Sequence, residues 1–357
     1  MQSLKNFKRV VLKIGSSLLF KKTAAGGICL DSEVLSQLVE QISYLTKSGK
    51  EALVVSSGAI ASGLSLLKLA HKPKDLSLLQ AIAAIGQPEL MDVYRNAFRQ
   101  RGLNCSQVLL TAEDLASRKR YLNAKNTLLT LLKLKNIPVI NENDTVSTEE
   151  IKFGDNDRLS ALVASLVKAD ILVILSDVDG LLDREKKVIR IVDEITPRIK
   201  ALACPSDKKT CVGGMITKLE AAKISVDSGI PCVVANGRTF DIIPSLLKDP
   251  ASHGTIFLPK KALTAKKHWI AFGSRPKGRV IVDDGAREAL MNKKSLLSVG
   301  VIFCEGNFQA GDIVSIRDKE NNEFARGISG LSFSSLDKAK GKRTDKEVVH
   351  RDNIVIL

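Results

Sequence analysis

The stretch Val139–Ser147, VINENDTVS, places two carboxylates, Glu142 and Asp144, and two amides, Asn141 and Asn143, directly after an apolar run. Asn and Asp side chains bond nearby backbone groups and so make turns, and a surface turn explains the stretch taken alone. It has company. Lys13, Gly15, Ser16 and Ser17 close the run RVVLKIG, and Ser56, Ser57, Gly58 and Ala59 follow ALVV. Ser176 and Asp177 follow DILVIL, and Asp155, Asn156 and Asp157 head the helical pattern DRLSALVASLVKA. The segment VGGMITK (Val212, Gly213, Gly214, Met215, Ile216, Thr217, Lys218) opens another helical pattern. Gly15, Gly58 and the Gly213–Gly214 pair let backbone N–H groups approach an anion, which helix N-termini favour. Lys218 falls about one turn into its helix. Lys13, inside an apolar run, is costly there unless its ammonium reaches a partner at the strand end. These residue types suit the handling of phosphate.

The sequence also excludes several chemistries. It has no GxxxxGK[ST] phosphate loop and no HRD…DFG set. Its four histidines, His71, His253, His268 and His350, are scattered, and Ser57 lacks a GxSxG setting, so acyl transfer is not expected. The six cysteines form no CxxC pair and sit mostly in apolar runs, which suits reduced core residues rather than a zinc site or disulfide frame.

The elements that must position these groups alternate. RVVLKIG, ALVV, QVLL, IPVIN, DILVILSD and IPCVVANG are strand patterns. Helical patterns separate them. In DSEVLSQLVEQISYLTKSG, Leu35, Leu38, Val39, Ile42 and Leu45 form one stripe, with Asp31 as N-cap and Gly49 as C-cap. Near-continuous apolar strands joined by helices predict an α/β fold, a mainly parallel sheet sandwiched by helices. Ligands of such sheets bind beyond the carboxyl ends of the strands, where the polar clusters lie.

A chain of 357 residues with 44% hydrophobic content suits two or three globular domains. Residues 1–258 carry the alternating pattern. Residues 259–276 form a basic linker, part of a segment (259–279) with seven basic residues and no acidic one. Residues 277–357 show short alternating strands, one short helix and Gly- or Asn-rich turns, the texture of a small, mostly β domain. No window of about 18 residues is apolar and uncharged, so no membrane span is expected, and Lys13 spoils the N-terminus as a signal peptide. The expected location is cytoplasmic. The net charge of +15 is spread along the chain and suits an anionic substrate as well as a nucleic acid.

Taken together, VVLKIGSSLL, VVSSGAIASG, GQPELM, LLTAEDL, RYLNAKNTLLTLL, IPVINENDTVSTEEIKFGDNDRLSALVA, LSDVDGL and GGMITKLEAAKISVDSGI resemble the glutamate 5-kinase branch of the amino acid kinase superfamily. The resemblance runs from about residue 8 to 258, and NEND followed by GDND is its specific part. GRVIVDDGAREAL, GNFQAGDIVSI and FARGIS resemble, more loosely, a PUA domain. The resemblance implies an amino acid kinase fold followed by a PUA-like domain, with ATP and Mg²⁺ as cofactors and L-glutamate as acceptor. It implies catalytic roles for Lys13, Lys218 and Asp157, with Lys13 also contacting nucleotide. Ser57, Asp144 and Asn156 match glutamate-holding positions; Ser176, Asp177 and Val212 through Lys218 match the nucleotide segments. No protein ligand to magnesium is assigned, the metal being expected on the ATP phosphates. Val212 and Leu182 depart from the family's usual residues at their positions.

A carboxylate is already nucleophilic at neutral pH, so no general base is required. Bringing it to an anionic phosphate demands positioning and charge neutralisation. Asp144 can pair with the α-ammonium of glutamate, and neighbouring backbone and amide donors can face its α-carboxylate. The acyl phosphate formed would be passed to glutamyl phosphate reductase, in proline biosynthesis. A homo-oligomer is expected. Two rival readings are another amino acid or phosphate kinase on the same fold, and an RNA-binding protein acting through its PUA-like domain and positive charge.

Overall fold

The structure, a computed structural model, describes residues 7–22, 27–69, 71–146, 155–203, 214–259, 265–273, 276–342, 344 and 346–357. They fall into two compact units, residues 1–114 with 119–262, and residues 115–118 with 263–357.

In the first unit the chain runs β1 (Arg9–Ile14), α1 (Ser16–Leu19), β2 (Phe20–Lys22), β3 (Ile28–Leu30), α2 (Ser32–Lys47), β4 (Glu51–Ser56), α3 (Ala59–Leu66) and α4 (Leu76–Arg99). It continues through β5 (Asn104–Leu110), α5 (Ala112–Ala116), α6 (Arg118–Lys133), β6 (Asn136–Glu142), α7 (Asp155–Val167) and β7 (Ile171–Ser176). The last elements are β8 (Ile191–Val192), α8 (Pro197–Leu202), α9 (Met215–Asp227), β9 (Cys232–Asn236), α10 (Ile242–Lys248) and β10 (Thr255–Phe257).

The main sheet has eight strands in the order β5-β6-β4-β1-β7-β9-β10-β8. From β5 to β9 all neighbours are parallel; β10 is antiparallel to β9. The expected α/β sandwich is what forms. β1 lies between β4 and β7, so the chain leaves it in both directions, the arrangement that opens a crevice at the carboxyl ends. Register aligns those ends: Ile14 pairs with Ser56, and Ser176 with Asn236.

Strand parity then decides where β1 sends its side chains. Val10, Leu12 and Ile14 enter a core shared with Leu35, Leu38, Val39 and Ile42 of α2 and with Leu90, Tyr94 and Phe98 of α4. Val11 and Lys13 therefore face the opposite side, where α7 packs on β1 and α9 packs on α7. The predicted stripe of α2 is buried throughout, Gly49 follows the helix at φ +84°, and Asp31 stands at the N-cap position.

Helices α3 and α4 touch backbone to backbone. A Cβ at Gly86 would lie 1.9 Å from the Ala59 carbonyl oxygen, and one at Gly63 would lie 2.1 Å from that of Ile82. Glycine at both positions is what lets α4 seat α3, whose first residue follows the Ser57–Gly58 turn.

The second unit holds a five-stranded sheet in the order Val301–Gly306, Gly278–Val282, Ile313–Arg317, Glu323–Ile328, Ile354–Ile356. Val280, Val282, Phe308, Val314, Ile316 and Leu336 build its core. Two helices of seven or eight residues, Asp284–Met291 and Phe333–Ala339, flank the sheet, each with a side-chain N-cap, Asp283 and Ser332. The basic segment expected as a linker contains a helical turn, Ala265–His268, that runs into a π-helical turn, Trp269–Gly273. Ile270 and Ala271 of this turn are buried with Val355, so its apolar residues anchor what its charges suggested was bare connection.

Candidate active site

Lys13 and Asp157 meet across the β1–α7 packing. Lys13 Nζ lies 2.6 Å from Asp157 Oδ1, and Lys218 Nζ lies 3.5 Å from Asp157 Oδ2. Thr217 Oγ1 donates to the same Oδ2 at 2.7 Å. The three charged side chains are only 7%, 2% and 8% exposed for Lys13, Asp157 and Lys218. Burial lowers the pKa of Lys13, and Asp157 beside it holds the charge in place. For Asp157 burial pushes the other way, but Lys13 and Lys218 outweigh it and keep the carboxyl below its ordinary value. One carboxylate thus fixes two ammonium groups brought from β1 and α9.

The lysines are set by local backbone. Gly214 caps α9 at φ +71°, a conformation that suits glycine. Its carbonyl accepts from Lys218 Nζ at 3.0 Å and from Thr217 Oγ1 at 3.1 Å. Gly58 sits at φ +127°, and a Cβ there would strike Phe20 Cε2 at 2.8 Å.

Beside the lysines lies an amide network. Asn156 Nδ2 donates to Ser57 Oγ at 3.1 Å and to Asn141 Oδ1 at 2.9 Å. Asn141 Nδ2 donates to Gln87 Oε1 at 2.8 Å, and Gln87 Nε2 to Gln107 Oε1 at 2.9 Å. The backbone N–H of Glu142 donates to Asn156 Oδ1 and Asn141 Oδ1. Of the polar crowd at the end of β6, Asn141 and the Glu142 backbone belong to this network, whereas Asn143 heads a turn, its carbonyl accepting from Val146 N–H at 3.2 Å and its Oδ1 from Thr145 Oγ1 at 2.6 Å. On the far side, Ser176 Oγ donates to Asp177 Oδ1 at 3.0 Å. Burial raises the Asp177 pKa, but hydrogen bonds led by that from Ser176 bring it below the ordinary carboxylate value.

These groups line one cavity of about 550 Å³, a size that suits small-molecule ligands. Its walls include Lys13, Gly15, Ser57, Asp144, Asn156, Asp157, Ser176, Asp177, Gly214, Thr217 and Lys218. Met215 and Ile216 form the first turn of α9 without lining the cavity. Val212 and Gly213 lie outside the described residues. Lys21, Gln87 and Lys72 escaped the sequence reading. Lys72 sits in the loop between α3 and α4, in a charged stretch, HKPKD, that looks like an ordinary solvated turn. No local pattern distinguishes it; only the packing of α3 on α4 brings that loop to the cavity.

The donor set suits a phosphorylated ligand. Glycine turns and two lysines favour phosphate. Asp157 Oδ1 lies at ion-pair distance from Lys13, and its Oδ2 accepts from Thr217. No described helix is long and apolar enough to cross a membrane.

Known proteins resemble this chain along nearly its whole length. Residues 8–236 match the amino acid kinase family, and residues 278–350 match the PUA domain. A glutamate 5-kinase of Thermoanaerobacter sp. (strain X514) is 42% identical, with 98% of each chain covered. Those of Caldanaerobacter subterraneus subsp. tengcongensis and Dictyoglomus turgidum are each 44% identical, covering 98% and 99% of this chain and 98% of their own. With glycine turns at the strand ends, two lysines held on one carboxylate and this likeness along nearly its whole length, the chain belongs to the amino acid kinase family, among the glutamate 5-kinases, and carries a C-terminal PUA domain.

Proposed function

We propose that the protein transfers the γ-phosphoryl group of ATP to the γ-carboxylate of L-glutamate, giving glutamyl 5-phosphate and ADP. The observation that carries this reading is the pinning of Lys13 and Lys218 by Asp157 in the cavity that Asp144 and Asn156 also line. A carboxylate oxygen of glutamate forms the new bond to phosphorus as the bond from phosphorus to the ADP oxygen breaks. No proton moves, so no general base is required. The barrier is the approach of two anions, which fixed cations lower most when they face charge that spreads in the transition state. Lys13 and Lys218 take that role, and Asp157 keeps both ammonium groups aimed into the cavity. Magnesium bound with the nucleotide would supply further charge neutralisation. Ser176, Asp177 and the Gly214–Lys218 turn hold the nucleotide; Asp144 takes the α-ammonium of glutamate, and Ser57 and Asn156 border its side chain.

The product is an acyl phosphate, which hydrolyses readily, so a reductase that consumes it is the natural partner, and the cytoplasm the natural location. Coupled ADP release, measured with glutamate, aspartate, acetylglutamate and UMP in turn, tests the assignment. Turnover with glutamate well above the others is expected; equal or greater turnover with a rival acceptor overturns it.

A further inference from the structure

We infer that Lys72 is a specificity-determining residue that recognises the α-carboxylate of the acceptor, an inference that rests on the proposed glutamate phosphorylation. Four cationic side chains line the cavity among its described residues: Lys13, Lys21, Lys72 and Lys218. Three of them lie against carboxylates other than Asp144. Lys13 and Lys218 belong to Asp157, and Lys21 Nζ lies 3.6 Å from Asp31. Lys72 lines the cavity together with Asp144 and lies within electrostatic reach of it.

Glutamate entering with its γ-carboxylate toward Lys13 and Lys218 puts its ammonium and α-carboxylate at the opposite end. Both sit on one carbon, so a site that pairs Asp144 with the ammonium brings a neighbouring cation to the carboxylate. The amides of Asn141 and Asn156, which the sequence offers for this task, already hold protein partners. Both Nδ2 hydrogens of Asn156 go to Ser57 and Asn141, and Asn141 Nδ2 donates to Gln87. Lys72 is half-buried, and burial lowers its pKa. A partly desolvated ammonium gains more from a second anion than an exposed one does.

The test compares glutamate with its α-amide, which keeps the ammonium, the γ-carboxylate and the shape but loses the α-charge. Lys72→Met should lower kcat/KM for glutamate about 10- to 100-fold, the range of one charge-assisted hydrogen bond. The loss should lie mainly in KM, with kcat and the KM for ATP within about threefold of the parent. For the α-amide, kcat/KM should change less than about threefold, and Lys72→Arg should recover part of the glutamate loss. An equal fall for both acceptors means that Lys72 only balances Asp144, and an unchanged glutamate KM means that it touches nothing; either result overturns the inference. A parent enzyme that does not use glutamate at all instead overturns the proposed reaction, which the parent assay alone reveals.

Discussion

Replacing Asp157 by Asn keeps the shape of the side chain and removes the one charge that holds two buried lysines. At an effective dielectric constant of about 20, separations of 2.6 and 3.5 Å give attractions of about 6 and about 5 kcal/mol. Desolvating three ions costs several kcal/mol each, so the intact triad adds little net stability. Breaking it is another matter, because two cations stay buried without their partner, a loss of about 3–5 kcal/mol. An escape route sets a ceiling near that value. Lys13 can shed its proton, and moving a group of ordinary pKa 10.5 to neutrality at pH 7 costs about 5 kcal/mol. At about 2–4 °C per kcal/mol for a domain of this size, the melting temperature of the first unit should fall by about 6–20 °C. The pH dependence has a definite sign. Burial already lowers the Lys13 pKa, and losing Asp157 lowers it further, while the unfolded value stays at 10.5. Between those two values the unfolded chain binds more protons, so stability rises with pH, and the deficit of the variant shrinks as pH climbs from about 7 toward about 10. Circular dichroism melts of parent and Asp157→Asn across that range measure it, and ADP release should show kcat lower by about 10²-fold or more. A variant that melts within about 2 °C of the parent at pH 7, or whose deficit widens with pH, refutes the reasoning.

Lys218→Ala should lower kcat by about 10³-fold, roughly 4 kcal/mol, and Lys218→Arg should rescue poorly, because a planar fork does not replace a compact ammonium curled onto the Gly214 carbonyl; near-parental kcat in Lys218→Ala would contradict this. Asp144→Ala should raise the KM for glutamate with a smaller effect on kcat, since the proposed ammonium pair exists equally in ground and transition states; steady-state kinetics with an unchanged KM would remove the residue from the acceptor site. Gly86→Ala places a Cβ 1.9 Å from the Ala59 carbonyl oxygen, so it should destabilise by about 1–3 kcal/mol in thermal melts and raise the glutamate KM by displacing the Ser57–Gly58 turn. A stable Gly86→Ala enzyme with parental KM would show that α3 moves without consequence for the site.

Much of this molecule is legible in its one-dimensional pattern. Six apolar runs became the parallel strands β1, β4, β5, β6, β7 and β9; all but the edge strand β5 are buried on both faces, and such a strand must be apolar along its length. Lys13 declared itself by the same rule, as the one charge in the interior of such a run. The glycines at 58 and 214 marked backbone that other residues rarely adopt. What the pattern does not hold is which separated groups meet. Lys13 and Asp157 are both odd residues in their segments, yet their pairing follows from β1 parity and from α7 covering that face of the sheet. The commitment of Asn156 to Ser57 and Asn141, and of Asn141 to Gln87, depends on the α3–α4 contact as much as on NEND. Lys72 looks in sequence like any surface lysine, since a loop residue has no periodicity to betray which way it faces. The basic segment after residue 258 misled for a related reason: its charges suggest solvent, whereas Ile270 and Ala271 between them are buried. Local rules settle backbone state and burial, but contacts between residues 60 to 144 positions apart are set by sheet order and helix packing, which only the folded chain fixes.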